Sequence, residues 1–256
     1  MGADTLALVA LANALVGACV GLTGIAGFLL PMFYAGFLGL APVEGLALSF
    51  AAFVVSGTLG CPAYRRTGDL PLRASAGLLA GSFLGALAGT QVGVVLPAEV
   101  LTVVLYLVVL GSGASVLLRM RGSEKDGASR APMPGAGRLF AVGLITAVVC
   151  AASGAGGPVL VVPVLMLMGV GPRMAVGMSL LDSVAIAVPA AAGYLLGGGV
   201  GTEVWALLPV ALLAHGAGVL LGSFNAHRIN APLLKGIVAV GSIAVALIKL
   251  AQLALS

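Results

Sequence analysis

The apolar residues of this chain come in runs too long and too pure for a water-soluble fold. The stretches 4–20, 71–92, 97–118, 174–196 and 203–225 each hold no more than one charged side chain. A helix of about 20 such residues crosses a hydrocarbon core of roughly 30 Å. Only 8% of the chain is charged, against about 25% in an ordinary soluble domain. Polar groups are too few to cover a globular surface, which excludes a soluble enzyme, a nucleic-acid binder and a disordered protein. The lipid bilayer is the first partner this composition demands, and the fold class is all-α, a polytopic helical membrane protein.

Ten helical elements are expected, at 4–20, 28–41, 44–60, 71–92 and 97–118, then 138–152, 158–170, 174–196, 203–225 and 230–253. Between the two series lies RMRGSEKDGASRAPMPGAG, which combines charge, Gly and Pro. The chain thus divides into a first transmembrane repeat (1–118), a cytoplasmic linker (119–137) and a second transmembrane repeat (138–256). The halves match in sequence. A shift of 130 sets Thr23-Gly24 on Ser153-Gly154, Gly27 on Gly157, Gly39 on Gly169, Pro42 on Pro172, Ser49 on Ser179 and Tyr64 on Tyr194. A shift of 133 sets Gly85 and Gly89 on Gly218 and Gly222, GxxxG pairs expected at helix-packing faces. Cys19, Cys61 and Cys150 form no CxxC pair and read as small buried hydrophobes, so no cofactor or metal is called for. The N-terminal run has no Lys or Arg before it and carries Asp4, so it reads as a first helix and not a cleaved leader.

Charge then orients the chain. If each opening pair of elements (4–41 and 138–170) is a hairpin that returns to its starting side, every Lys and Arg except Lys249 falls on one face. A single crossing by each pair would move Arg173, Arg228 and Lys235 to the other face and bring Lys249 back. The positive-inside rule prefers the hairpins. A hairpin plus three spans is odd in net crossings, so the second repeat is expected upside down relative to the first, with both termini outside. Inverted repeats with broken helices are the architecture of secondary transporters. The elements 28–41 and 158–170 rise only about 20 Å, short for full spans, and are expected to be re-entrant or broken.

The tips of those hairpins read GLTGIAG and SGAGGP. Glycine lets backbone approach a ligand, and a helix N-terminus offers free N–H groups with partial positive charge. Thr23, Gly24 and Gly27 from one tip, with Ser153, Gly154, Gly156 and Gly157 from the other, would form a neutral cradle for a small anionic substrate. Ser49 and Ser179 join as candidate substrate ligands. Asn13 either lines the cradle or caps a backbone break. The competing reading is that these glycines serve only close helix packing.

Ser179, Asp182 and Ser183 make one polar stripe on an otherwise apolar helix. A carboxylate at that depth is costly, so Asp182 is expected to face an internal cavity and to carry a coupling proton. His215 falls at a similar depth on the next helix and is the second candidate for proton coupling.

GLTGIAGFLLP and SGAGGPVLVVP, each followed by Pro, a small-residue run and Ser (Pro42 to Ser49, Pro172 to Ser179), resemble the sulfite exporter TauE/SafE family. The Tyr64-Arg65-Arg66-Thr67-Gly68 loop and the Gly81-Ser82…Gly85…Gly89 helix are similar to it too. The resemblance implies a multi-pass transporter of the bacterial inner membrane that moves sulfite, sulfonates or related sulfur-containing anions, and not an enzyme. Two rivals stand beside it. Ala214-His215…Gly218…Gly222 fits the AHxxGxxxG pattern of rhomboid intramembrane proteases, which would pair Ser153 with His215 as a serine protease. An uncoupled anion channel is the other; two inverted tips in one chain suit alternating access better.

Overall fold

The computed structural model describes residues 2–23, 26–122, 133–197 and 199–225, with scattered positions between 236 and 252. Its elements are helical throughout: α1 (Ala3–Thr23), a 3-10 turn (Ala26–Phe28), α2 (Leu29–Gly36), α3 (Pro42–Arg66), α4 (Leu72–Val95) and α5 (Ala98–Gly122), then α6 (Ala136–Ser153), α7 (Gly157–Leu167), α8 (Pro172–Leu196) and α9 (Thr202–Asn225). Among the described residues, α1, α3, α4, α6, α8 and α9 contain segments long and apolar enough to cross a membrane. Of the tenth expected element, 230–253, only scattered positions are described, and those are helical.

Two boundaries differ from expectation for local reasons. The helix expected over 28–41 stops at Gly36, and Pro42 opens α3 at its first turn with Ala41 held extended before it (φ −57, ψ 143). Gly39, at φ +69, completes the reversal. Pro172 does the same for α8, with Gly171 extended before it and α7 ending at Leu167. Helix also occupies both ends of the expected linker, since α5 runs to Gly122 and α6 begins at Ala136.

Packing follows the small residues. The most extensive helix pairings are α4 with α6, α1 with α9 and α3 with α8. Cβ atoms built on Gly81, Gly85 and Gly89 of α4 would fall on the carbonyl oxygens of Phe140, Leu144 and Val148 in α6. Those on Gly218 and Gly222 of α9 would fall on the carbonyls of Ala14 and Ala18 in α1. Both pairs run parallel, backbone against backbone, as small-xxx-small faces allow. By contrast α3 and α8 run antiparallel. Gly57 lies against Leu180 and Ser183, while Gly177 lies against Tyr64 and Asp69.

These close approaches predict a large packing penalty. Gly85→Ala should lower thermal stability in detergent by about 1–3 kcal/mol, because backbone cannot give way as a flexible side chain can. Gly111→Ala on α5, where a Cβ meets nothing within 4 Å, should leave the melting temperature unchanged.

Candidate functional site at the two glycine tips

Each tip forms where a long helix breaks and a short one returns. In the second half, α6 ends on Gly154 in the left-handed region (φ 75, ψ 11), whose N–H donates to the Cys150 carbonyl at 2.8 Å. Gly156 (φ 75, ψ 143) then turns the chain into α7. Both conformations favour glycine. In the first half the 3-10 turn at Ala26–Phe28 leads into α2. Gly24 and the side chain of Thr23 lie outside the described residues.

The tips meet inside the protein. A Cβ on Gly154 would strike Leu46 of α3 and stand 2.9 Å from Pro31 Cγ of α2. One on Gly27 would stand 3.1 Å from Phe53 Cε1, and one on Gly156 would stand 3.3 Å from Phe53 Cε2. A single phenyl ring on α3 therefore has one tip against each edge. Gly157 faces α8 instead, where its Cβ would lie 3.3 Å from Ser183 Cα and 3.4 Å from Asp182 Oδ2.

The candidate hydroxyls are turned toward their own helices. Ser153 Oγ donates to the Val149 carbonyl at 2.7 Å, Ser49 to Gly45 at 2.6 Å and Ser179 to Val176 at 3.0 Å. Each oxygen keeps acceptor capacity, but offers a hydrogen to a ligand only by rotating. Asn13 Nδ2 donates to the Val9 carbonyl at 2.9 Å and to the Tyr34 hydroxyl at 2.7 Å, tying α1 to α2, while its Oδ1 has no partner among the described residues.

His215 and Asp182, alike in depth, differ in surroundings. His215 Nδ1 lies 3.2 Å from the Asn13 carbonyl and must donate to it, because a carbonyl only accepts. In the neutral ring Nε2 then accepts from Ser56 Oγ at 2.5 Å. His215 thus joins α1, α3 and α9 with both nitrogens engaged. The hydrogen bonds of Ser153 and His215 go to different partners and do not form the Ser–His pair a protease would need. Asp182 is fully buried, and among the described residues neither carboxylate oxygen has a hydrogen-bond partner. The Ser82 hydroxyl of α4 stands beside it, short of hydrogen-bond geometry and also unpartnered. Cys150 is nearby, its thiol donating to the Gly156 carbonyl at 3.3 Å.

Phe53, Ser56 and Ser82 were not among the site residues expected from sequence, although Ser82 lies in the Gly81-Ser82…Gly85…Gly89 motif. Two of them carried a signal: the shift of 133 that aligns the GxxxG pairs sets Ser82 on His215, and the shift of 130 sets Phe53 on Ser183. Among the described residues, no group of three His, Cys, Asp or Glu side chains is arranged to hold a metal ion.

Among the described residues, the candidate site is therefore a buried meeting of two glycine tips, without a Lys or Arg side chain, beside one carboxyl group that has no hydrogen-bond partner. No curated protein and no solved structure matches the chain. The family model described as sulfite exporter TauE/SafE matches residues 6–248, nearly its whole length. The chain belongs to the sulfite exporter TauE/SafE family of membrane transporters.

Proposed function

We propose that this protein is a secondary transporter of small sulfur-containing anions, of the sulfite and organosulfonate class, in the bacterial inner membrane. Its two halves are inserted in opposite senses and hold the anion between their glycine tips. The observation that carries the reading is the convergence of Gly27 and Gly156 on one buried ring. Tips built only for packing within each half would have no reason to meet.

The helix directions support the inverted arrangement. The repeat register pairs α3 with α8, and these run antiparallel; it exchanges the α1–α9 pairing with α6–α4, and both run parallel. Glu44 accepts from the Ala41 N–H at 3.1 Å and from the Gly201 N–H at 3.0 Å, joining the turn before α3 to the turn before α9. If α7 returns toward the face where α6 starts, the crossings of α3, α4, α5 and α8 separate those turns. An even number puts them on one face. A net crossing by α6 and α7 would put them on opposite faces and forbid the contact.

Within this mechanism Asp182 carries the coupling proton. Protonated, it adds a donor to the cradle; ionised, it repels the anion. His215, bonded on both sides, holds α1 to α3 and α9.

Flux into proteoliposomes, across sulfite, thiosulfate, methanesulfonate and acetate, tests the substrate class. Saturable uptake of the sulfur oxyanions with counterflow is expected. Acetate carried in preference to all three would overturn the substrate class, and non-saturating flux without counterflow would establish the channel instead.

A further inference from the structure

Phe53 occupies the space that the transport reading requires for substrate. It lies near the middle of α3, is 3% exposed, and has Gly27 and Gly156 against opposite ring edges. Aromatic neighbours hold it there. Phe50 meets it edge-on at 5.7 Å and 89°, and Phe50 in turn stacks on Tyr194 at 5.8 Å and 10°. The Tyr194 hydroxyl donates to the Ala151 carbonyl at 2.8 Å, anchoring this column to α6 near the second tip.

The repeat makes the ring conspicuous. The residue in the second half that corresponds to Phe53 is Ser183, and it lies against Gly157 as Phe53 lies against Gly27. Of the two repeat-related glycines, Gly157 thus faces a hydroxyl-bearing residue next to Asp182, while Gly27 faces a phenyl group. A ring between two backbones that lack side chains is a hydrophobic constriction, and such constrictions close pathways by excluding water.

We propose that Phe53 is the gate of the site. Its ring seals the gap between the tips and must turn out of it before an anion can lie there. Residues on either side of the ring belong to different halves, so its displacement couples opening of the gap to relative movement of those halves. Phe53 is a positioning residue: it controls access to the polar groups around Gly157, Ser183 and Asp182 without supplying a donor of its own. The proposal rests on the transport reading for its consequence, but the seal can be measured without substrate.

Cys150 is the reporter, since it is fully buried and its thiol touches the Gly156 carbonyl. In full-length protein carrying Cys19→Ala and Cys61→Ala, Cys150 should resist an anionic methanethiosulfonate reagent. Adding Phe53→Ala should speed its modification by roughly tenfold or more, because the gap between the Gly27 and Gly156 backbones loses the ring that fills it. Phe53→Leu, which keeps apolar bulk without reaching both tips, should give an intermediate rate and guards against a misfolded alanine variant. Monodisperse elution and a cooperative melt identify folded samples. In proteoliposomes Phe53→Ala should pass sulfite downhill while losing concentrative uptake, a split that damaged packing alone would not produce. Cys150 equally protected in the folded parent, leucine and alanine proteins would overturn the gate. Absence of sulfite flux in the unsubstituted chain would instead count against the transport reading, leaving the labelling result to stand alone.

Discussion

Gly156→Ala should reach the membrane in normal amounts and transport its anion at least tenfold more slowly. The expectation has two physical parts. At φ 75 and ψ 143 a residue with a Cβ is strained by about 1–3 kcal/mol, which corresponds to roughly a 5- to 150-fold change in an equilibrium. The added methyl would also press on the Phe53 ring, 3.3 Å from Cε2, and shift the tip away from its partner. Gly39→Ala is the matched control. It too has positive φ, at +69, but a Cβ there meets nothing within 4 Å and the residue lies in the α2–α3 turn. Strain without displacement of a tip should cost stability and spare the transport rate of correctly inserted protein. Radiotracer uptake normalised to folded protein measures both. If Gly156→Ala and Gly39→Ala transport equally well, the second tip is a packing turn and the anion binds elsewhere.

The helices were legible because lipid imposes a simple pattern on them. With backbone groups satisfied internally, each span must be an uninterrupted apolar run, and charge collects between runs. Pro42 and Pro172 open the expected helices, and Gly85, Gly89, Gly218 and Gly222 lie in the expected packing faces. Tertiary partners are another matter. Position along a helix set Asp182 and His215 at a similar depth, yet depth says nothing about which way a side chain points. His215 turns to Ser56 and Asn13, whereas Asp182 stands beside Ser82 without a hydrogen bond. Phe53 was invisible for a different reason. A phenylalanine in an apolar run carries no signal until the fold brings two glycines against its edges. Only the repeat register, which places it opposite a serine, marks it as unusual.

Asp182→Asn should keep substrate binding and exchange while abolishing accumulation driven by a pH gradient. The carboxylate has no hydrogen-bond partner among the described residues, so the amide replaces it at nearly constant volume without breaking a bond seen there. Asn also reproduces the neutral acid, which the mechanism assigns to the substrate-bound state. In the native protein, an ionised Asp182 about 5 Å from a monovalent anion would oppose binding by about 3 kcal/mol at an effective dielectric constant near 20, over a hundredfold in affinity. Protonation removes that repulsion, so the native protein should bind more tightly as pH falls and less tightly as it rises. The asparagine variant has no proton to lose, and its affinity should stay flat and high across the same range. Counterflow at equal pH on both sides, which needs binding and the conformational cycle but no net proton movement, should persist. Concentrative uptake under an imposed proton gradient should fall to equilibrium. Ser82→Ala provides the neighbouring test: removing the hydroxyl beside the carboxyl should alter the pH profile of binding without eliminating it. A pH-dependent affinity and undiminished accumulation in Asp182→Asn would place the coupling proton on another group and leave this carboxyl without a role in transport.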